Sequence, residues 1–182
     1  VFLLTIFLMT NGVNAIFSSF EYSYHITINR SFFKQYFVAS LVSIFLALLL
    51  LLTIVIIVFS ERFIWDLSKE ELLSNGAFWI EIIRTIIFLI LVYFVIAILY
   101  YFGIKKGKNN RFFSIGAFVT TMLFVLTTYL FGVYITNFSN YNELYGSIGA
   151  LLILMLYIWI NSNLLLLGFE LNATLKTLRL KE

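Results

Sequence analysis

The chain has no cysteine, no proline and one histidine, His25, in 182 residues. Without cysteine there are no disulfides and no thiolate metal sites, and a single histidine cannot build a multi-histidine metal centre. Without proline no helix owes a kink to that residue, so any break must come from glycine or an inserted polar group, and long unbroken helices are expected. Charge is scarce as well. Only 12% of residues are charged, against 62% hydrophobic and 19% aromatic, which is too apolar for a soluble domain of ordinary composition. Sets of residues that do chemistry are also missing: a Ser, His and Asp trio with plausible roles, metal-binding carboxylates paired with histidines, and a glycine-rich phosphate loop. A catalytic site, a metal site and a cofactor are therefore not expected. Nucleic-acid binding is not expected either, because the aromatics lie inside apolar runs instead of on a basic face.

What the sequence has is long uncharged runs. They fall between the chain start and Glu21, Lys34 and Glu61, Arg84 and Lys105, Arg111 and Glu143, and Glu143 and Glu170. Each is near or above the roughly 20 residues a membrane-spanning helix needs. The reading is an all-α polytopic transmembrane bundle forming one integral membrane domain over 1–182, with five spans at about 1–20, 36–60, 79–103, 112–138 and 144–170. Five such runs in a soluble core would leave too few polar faces to meet water. The chain opens on Val1 directly in an apolar run, without a methionine or the basic segment of a signal peptide, so it reads as cut from a longer protein.

Lysine and arginine divide unequally between the two sides. Nine (Arg30, Lys34, Lys105, Lys106, Lys108, Arg111, Lys176, Arg179, Lys181) fall on one side, and three (Arg62, Lys69, Arg84) fall on the other with Asp66, Glu70, Glu71 and Glu143. The basic side is expected to be cytoplasmic, with the C-terminal tail on it. A protein whose N-terminus is also cytoplasmic would then need at least one further span upstream. On the outer side, Ser68 and Glu71 have capping-box spacing and Gly76 can end a helix, so a short surface helix is expected after Glu61, with Trp65, Phe78 and Trp79 at headgroup level. Glu81 and Arg84, three apart, are expected to pair on their own helix. The basic turn from Lys105 to Arg111 reads as the topology signal or as a contact for anionic lipid.

Polar residues inside the spans form two patterns. In the first span Asn11, Asn14, Ser18, Glu21 and His25 recur at steps of three and four and share one helix face. Such a stripe serves as interhelical hydrogen-bond glue or lines a wet cavity opening toward the basic side. The last span carries Asn161, Ser162 and Asn163. Asn163 and Glu170 are seven apart on one face, with Trp159 one turn earlier. Glu170 reads either as part of a pathway or as an interfacial carboxylate paired with Arg179 or a loop lysine. Both polar faces descend toward the basic side, which is compatible with one inward-facing cavity, but the sequence does not tell whether they meet. At the outer end of the same span Gly146 and Ala150 have the small-xxx-small spacing of close helix packing, with Gly149 between them.

The last span is recognisable by its motifs: Tyr141-Asn142, Tyr145-Gly146-Ser147-Ile148-Gly149-Ala150, an aromatic centre at Tyr157 and Trp159, and Gly168-Phe169-Glu170-Leu171-Asn172. With Asn11-Gly12, Arg30, Phe33, Tyr100-Tyr101 and Gly116-Ala117, it resembles the YihY/BrkB family of bacterial inner-membrane proteins, the UPF0761 type once mislabelled ribonuclease BN. Gly168 is read with Gly146, Gly149 and Ala150 as a packing residue. The chain departs from the family after the third span, where Ile104-Lys105-Lys106 stands in place of a Pro-Asn turn. The resemblance implies six helices with both termini cytoplasmic and residence in the bacterial inner membrane. It carries a virulence-factor label drawn from serum resistance, and it implies a transporter or lipid-translocating role from relatives linked to envelope lipid export.

The expected function is transport or flippase-like lipid translocation, with Asn11, Asn14, Ser18, Glu21, Asn161, Asn163 and Glu170 along the pathway. The alternative is a non-catalytic scaffold or envelope-integrity protein in which the same residues are glue. Membrane lipids are the expected partners, with a lipid or small solute as substrate, and a homo-oligomer is compatible with the sequence.

Overall fold

A computed structural model describes residues 2–23, 31–69, 76–103, 112–137 and 141–179. Five helices follow in chain order: α1 (Phe2–Ser23), α2 (Phe32–Lys69), α3 (Gly76–Gly103), α4 (Ile115–Asn137) and α5 (Tyr141–Arg179). There is no strand among the described residues, and each helix is long and apolar enough to cross a membrane. The protein is an all-α membrane bundle.

Two helices overrun the bilayer. α2 has 38 residues and α5 has 39, which at 1.5 Å per residue is close to 60 Å each, against a hydrocarbon core of about 30 Å. The surface helix expected after Glu61 does not start there: α2 continues without a break through Ser68 to Lys69, and Gly76 opens α3, while Glu70, Glu71 and the rest of 70–75 lie outside the described residues. The reason is local. No glycine or proline interrupts residues 32–69, so the hydrogen-bond ladder has nothing to stop it at the membrane surface. Trp65, Phe78 and Trp79 are exposed around this end. The pairing there also differs from expectation. Arg84 reaches across to Glu61 of α2 and does not pair with Glu81.

The hydrophobic core lies at one end of the bundle. It is built from Val13, Phe17 and Phe20 of α1, Ala39 and Val42 of α2, Ile96 to Tyr100 of α3, Ala117 of α4, and Leu165 and Phe169 of α5. These are the closing parts of α1, α3 and α5 and the opening parts of α2 and α4, which is the basic end of the charge count. Away from that end most apolar side chains are exposed, as they are on a surface that meets lipid.

Small polar side chains are satisfied within their own helices. The hydroxyls of Thr10, Ser43, Thr53, Thr121 and Thr127 each donate to the carbonyl four residues back at 2.8 Å. Hydrocarbon offers no water to these groups, so the preceding turn supplies the acceptor. At the basic end α4 starts with two caps. Its N-cap Ser114 accepts from the Ala117 amide at 3.2 Å. Asn172, from α5, accepts from the Gly116 amide at 2.8 Å and donates to the Ser114 hydroxyl at 2.9 Å. Two of the first-turn amides thus find partners inside the protein.

Candidate functional site

The α1 stripe faces α2. The Tyr36 hydroxyl donates to Asn11 Oδ1 at 3.2 Å. Gln35 is buried between Ser18 and Glu21. With its carbonyl accepting from the Ser18 hydroxyl at 3.1 Å, its amide nitrogen reaches the two Glu21 carboxylate oxygens at 3.2 and 3.3 Å. The reverse orientation would set carbonyl against carboxylate, so the amide is read this way round. Asn14 is half-buried on the same helix, and His25 lies outside the described residues.

The polar residues of α5 go elsewhere. Asn161, Ser162 and Asn163 each donate to the carbonyl four residues back, at 2.8, 2.8 and 2.7 Å. Asn163 is exposed together with Trp159 and Glu170, so this face points away from the packed end. Asn161 is half-buried, and its Oδ1 has no hydrogen-bond partner. The α1 and α5 stripes do not come together in a cavity at the basic end, because that end is filled by the core. Gly149 is buried and Ala150 exposed, while Gly146 lies among residues whose side chains are outside the description.

The residues that tie the helices together are ones that residue patterns alone did not single out. Phe20 of α1 and Phe169 of α5 stack with ring centroids 4.2 Å apart and planes 5° from parallel. Tyr100 of α3 sets its ring edgewise to both, at 5.7 Å from Phe20 and 6.0 Å from Phe169. Its hydroxyl donates to the Leu165 carbonyl at 2.7 Å and lies 2.8 Å from Thr120 Oγ1, which is itself 2.8 Å from the Gly116 carbonyl. Three contacts share two protons. Since the Leu165 carbonyl can only accept, Tyr100 gives its proton there, and the Thr120 proton serves either the phenol oxygen or the Gly116 carbonyl.

Three glycines make room for this cluster. A Cβ at Gly168 would lie 1.7 Å from Thr120 Oγ1, one at Gly116 would lie 2.3 Å from the Gly168 carbonyl, and one at Gly103 would lie 2.6 Å from the Phe20 ring. The α4–α5 crossing at Gly116 and Gly168 is a backbone-to-backbone approach that a side chain would prevent. The only sequence signal for any of this was the set of motifs that suggested a family: Tyr100-Tyr101, Gly116-Ala117 and Gly168 to Asn172.

Away from the cluster the helices part. Tyr100, Tyr93 and Ile86 share one face of α3 by their spacing of seven. Exposure along it rises from 4% at Tyr100, through half-buried Tyr93, to 49% at Ile86. On α5, Phe169, Leu165, Ser162 and Ile158 share a face, and exposure rises from 1% at Phe169 to 55% at Ile158, with Ser162 already exposed. These two faces meet through the Tyr100 hydroxyl and the Leu165 carbonyl, and both are exposed toward the other end. No charged residue stands in 86–100 or 144–169.

Comparison with known proteins places the chain among membrane proteins of bacteria. The family model described as Virulence factor BrkB matches residues 1–182. The chain is 32% identical over 172 residues to the ribonuclease-like protein YfkH of Bacillus subtilis, covering 91% of this chain and 61% of that protein. It is 35% identical over 77 residues to a UPF0761 membrane protein of Psychrobacter, covering 42% of this chain and 14% of the relative. It is 26% identical over 104 residues to another from Idiomarina loihiensis, covering 57% and 34%. The chain thus spans less than two thirds of the length of each of these relatives. No solved structure matches.

Proposed function

The chain belongs to the BrkB family of membrane proteins, and from that premise we propose that it forms part of a transporter that moves a lipid or other amphiphile across the bacterial cytoplasmic membrane. The observation behind this reading is the pair of uncharged faces on α3 and α5 that leave the Phe20, Tyr100 and Phe169 cluster and become exposed toward the other end. An acyl chain can lie along such faces without dehydrating any charge, and Ser162 is an exposed hydroxyl on one of them. The unequal split of lysine and arginine supports a cytoplasmic basic end and C-terminal tail. Under this reading the protein is not an enzyme and needs no cofactor, nucleic acid is no partner, and membrane lipid is both surroundings and cargo.

The test is a vesicle assay with the full-length protein. Phospholipid bearing a fluorophore on its acyl chain should cross the bilayer faster in protein-containing vesicles than in empty ones. Ser162→Leu, which removes the exposed hydroxyl from the α5 face without touching the aromatic cluster, should slow that crossing. Equal rates with and without protein, for a panel of neutral and anionic headgroups, would remove the transport reading.

A second reading is a scaffold that contributes to envelope integrity, favoured by the way Asn11, Ser18 and Glu21 engage Tyr36 and Gln35 of α2. Here the polar residues are glue, and their substitution lowers thermal stability while leaving lipid movement as it was.

A further inference from the structure

We propose that Ser18, Glu21 and Gln35 form a proton-binding site between α1 and α2 at the basic end, in which the Gln35 amide turns over as Glu21 gains or loses its proton. Gln35 stands in the first turn of α2 and is 7% exposed, with half-buried Ser18 and Glu21 of α1 at the two ends of its amide. One end lies 3.1 Å from Ser18 Oγ, and the other lies 3.2 and 3.3 Å from the two Glu21 carboxyl oxygens. An ionised carboxylate can only accept. It takes the NH2 end of the amide, and the Gln35 carbonyl then accepts from the Ser18 hydroxyl. A protonated carboxyl has a hydrogen to give, so it donates to the Gln35 carbonyl, and the amide nitrogen, turned over, donates to Ser18 Oγ at 3.1 Å. The hydroxyl serves both arrangements because it can donate or accept.

Each protonation state thus gives the buried amide a partner at both ends, with the heavy atoms where they stand. That matters because an amide left unpaired there would be costly. One proton arrives from water at the basic end, one O–H bond forms on Glu21, and α1 and α2 stay packed throughout. A leucine at position 35 would leave the carboxylate without this donor, and a second glutamate would set two carboxyls against each other. An ionisable residue at the edge of a span is where a membrane protein exchanges protons. α1 packs on α2, α3 and α5. The titratable groups which those helices bring to this end are Lys34 and Tyr36 of α2, Tyr100 and Tyr101 of α3, and Glu170, Lys176 and Arg179 of α5. Tyr36 donates to Asn11 and Tyr100 to Leu165, while Lys34 and Glu170 are exposed. His25 and Arg30 follow Glu21 in the connection outside the described residues. The proposal holds whatever the protein carries, so it stands apart from the transport reading.

Gln35 is the one glutamine in these 182 residues, which makes its amide a direct reporter. The full-length protein, labelled with nitrogen-15 on glutamine side chains and held in lipid nanodiscs, is followed by magnetic resonance from about pH 4 to about pH 9. Comparison with Gln35→Met picks out the Gln35 signal. That signal should move with pH along one titration curve, and an infrared band of protonated carboxyl should follow the same curve. In Glu21→Gln, whose amide donates to Gln35 as the protonated carboxyl does, the band should be lost and the Gln35 signal should stay at its low-pH position throughout. In His25→Gln the response should persist. A Gln35 signal that does not move while the carboxyl band titrates overturns the proposal, as does a response that survives in Glu21→Gln or disappears in His25→Gln. A signal that follows sodium concentration at fixed pH, and not pH itself, also overturns it, by putting a metal ion where the proton is placed. If Glu21→Gln does not fold, the unaltered protein still decides, by whether Gln35 and the carboxyl band share one curve.

Discussion

Gly168 of α5 lies so close to Thr120 of α4 that a methyl group on the glycine would sit 1.7 Å from the threonine Oγ1 and 2.6 Å from the Tyr100 hydroxyl. Helices in lipid gain little from the hydrophobic effect, so their association depends on close packing and on hydrogen bonds between them. Here one glycine permits both. It brings the α5 backbone against α4, and it lets Tyr100 reach the Leu165 carbonyl at 2.7 Å.

Gly168→Ala should be among the most damaging small substitutions in the chain. The methyl group must displace Thr120 or part the helices, at a cost of about 3 kcal/mol. Gly132→Ala, where nothing lies within 4 Å of the added carbon, should be neutral or stabilise by about 0.5–1 kcal/mol through helix propensity. Thermal unfolding of the purified protein in one detergent checks both. Similar melting temperatures for the two variants would contradict the close approach.

Tyr100→Phe keeps the aromatic packing and removes the hydroxyl, so it isolates the hydrogen bonds. The expected loss is about 1–2 kcal/mol, with a similar loss for Thr120→Val. Because the two hydroxyls contact each other at 2.8 Å, the double variant should lose less than the sum. Simple additivity in a double-mutant cycle would show that they act independently.

Asn172→Ala removes an acceptor that α5 supplies to the first turn of α4. A cost of about 1 kcal/mol is expected, as for other lost N-caps. Hydrogen exchange should quicken at Gly116 and Ala117 while the amides near Thr128 stay protected. Uniform quickening along α4 would mean that Asn172 holds the whole helix and not its end alone.

Glu61→Gln should change stability by less than about 1 kcal/mol, although Glu61 joins two helices. Both partners of the Arg84 pair are substantially exposed, at 57% and 37% of their side chains, and exposed pairs are weakened by solvent and salt. Melting curves at low and high ionic strength should converge. A loss of several kcal/mol that persists in high salt would show that the pair sits in a drier place than its exposure implies.

Ser68 does not begin a new helix as the capping-box spacing suggested, because that spacing is a local signal and a helix already running through Leu67 continues unless something breaks it; Glu71, its other half, lies outside the described residues. Glu81 and Arg84 were paired by spacing, yet Glu61 is brought beside Arg84 by the antiparallel packing of α2 on α3, a separation of 23 residues that no window reveals. The α1 stripe was visible as a face. Which helix it meets was not, since Gln35 reads in sequence as one polar residue near a membrane boundary.

Hydrophobicity and charge are sums over neighbouring residues, so the sequence alone determined that the chain is helical, that five segments are long enough to span a membrane, and which end is basic. The aromatic cluster and its hydrogen bonds depend on Phe20, Tyr100, Thr120, Leu165 and Phe169, which are up to 149 positions apart from Phe20 to Phe169. Only the tertiary structure could decide that these meet, because their contacts arise where helix backbones cross at Gly116 and Gly168, and a glycine records permission for such a crossing without naming its partner.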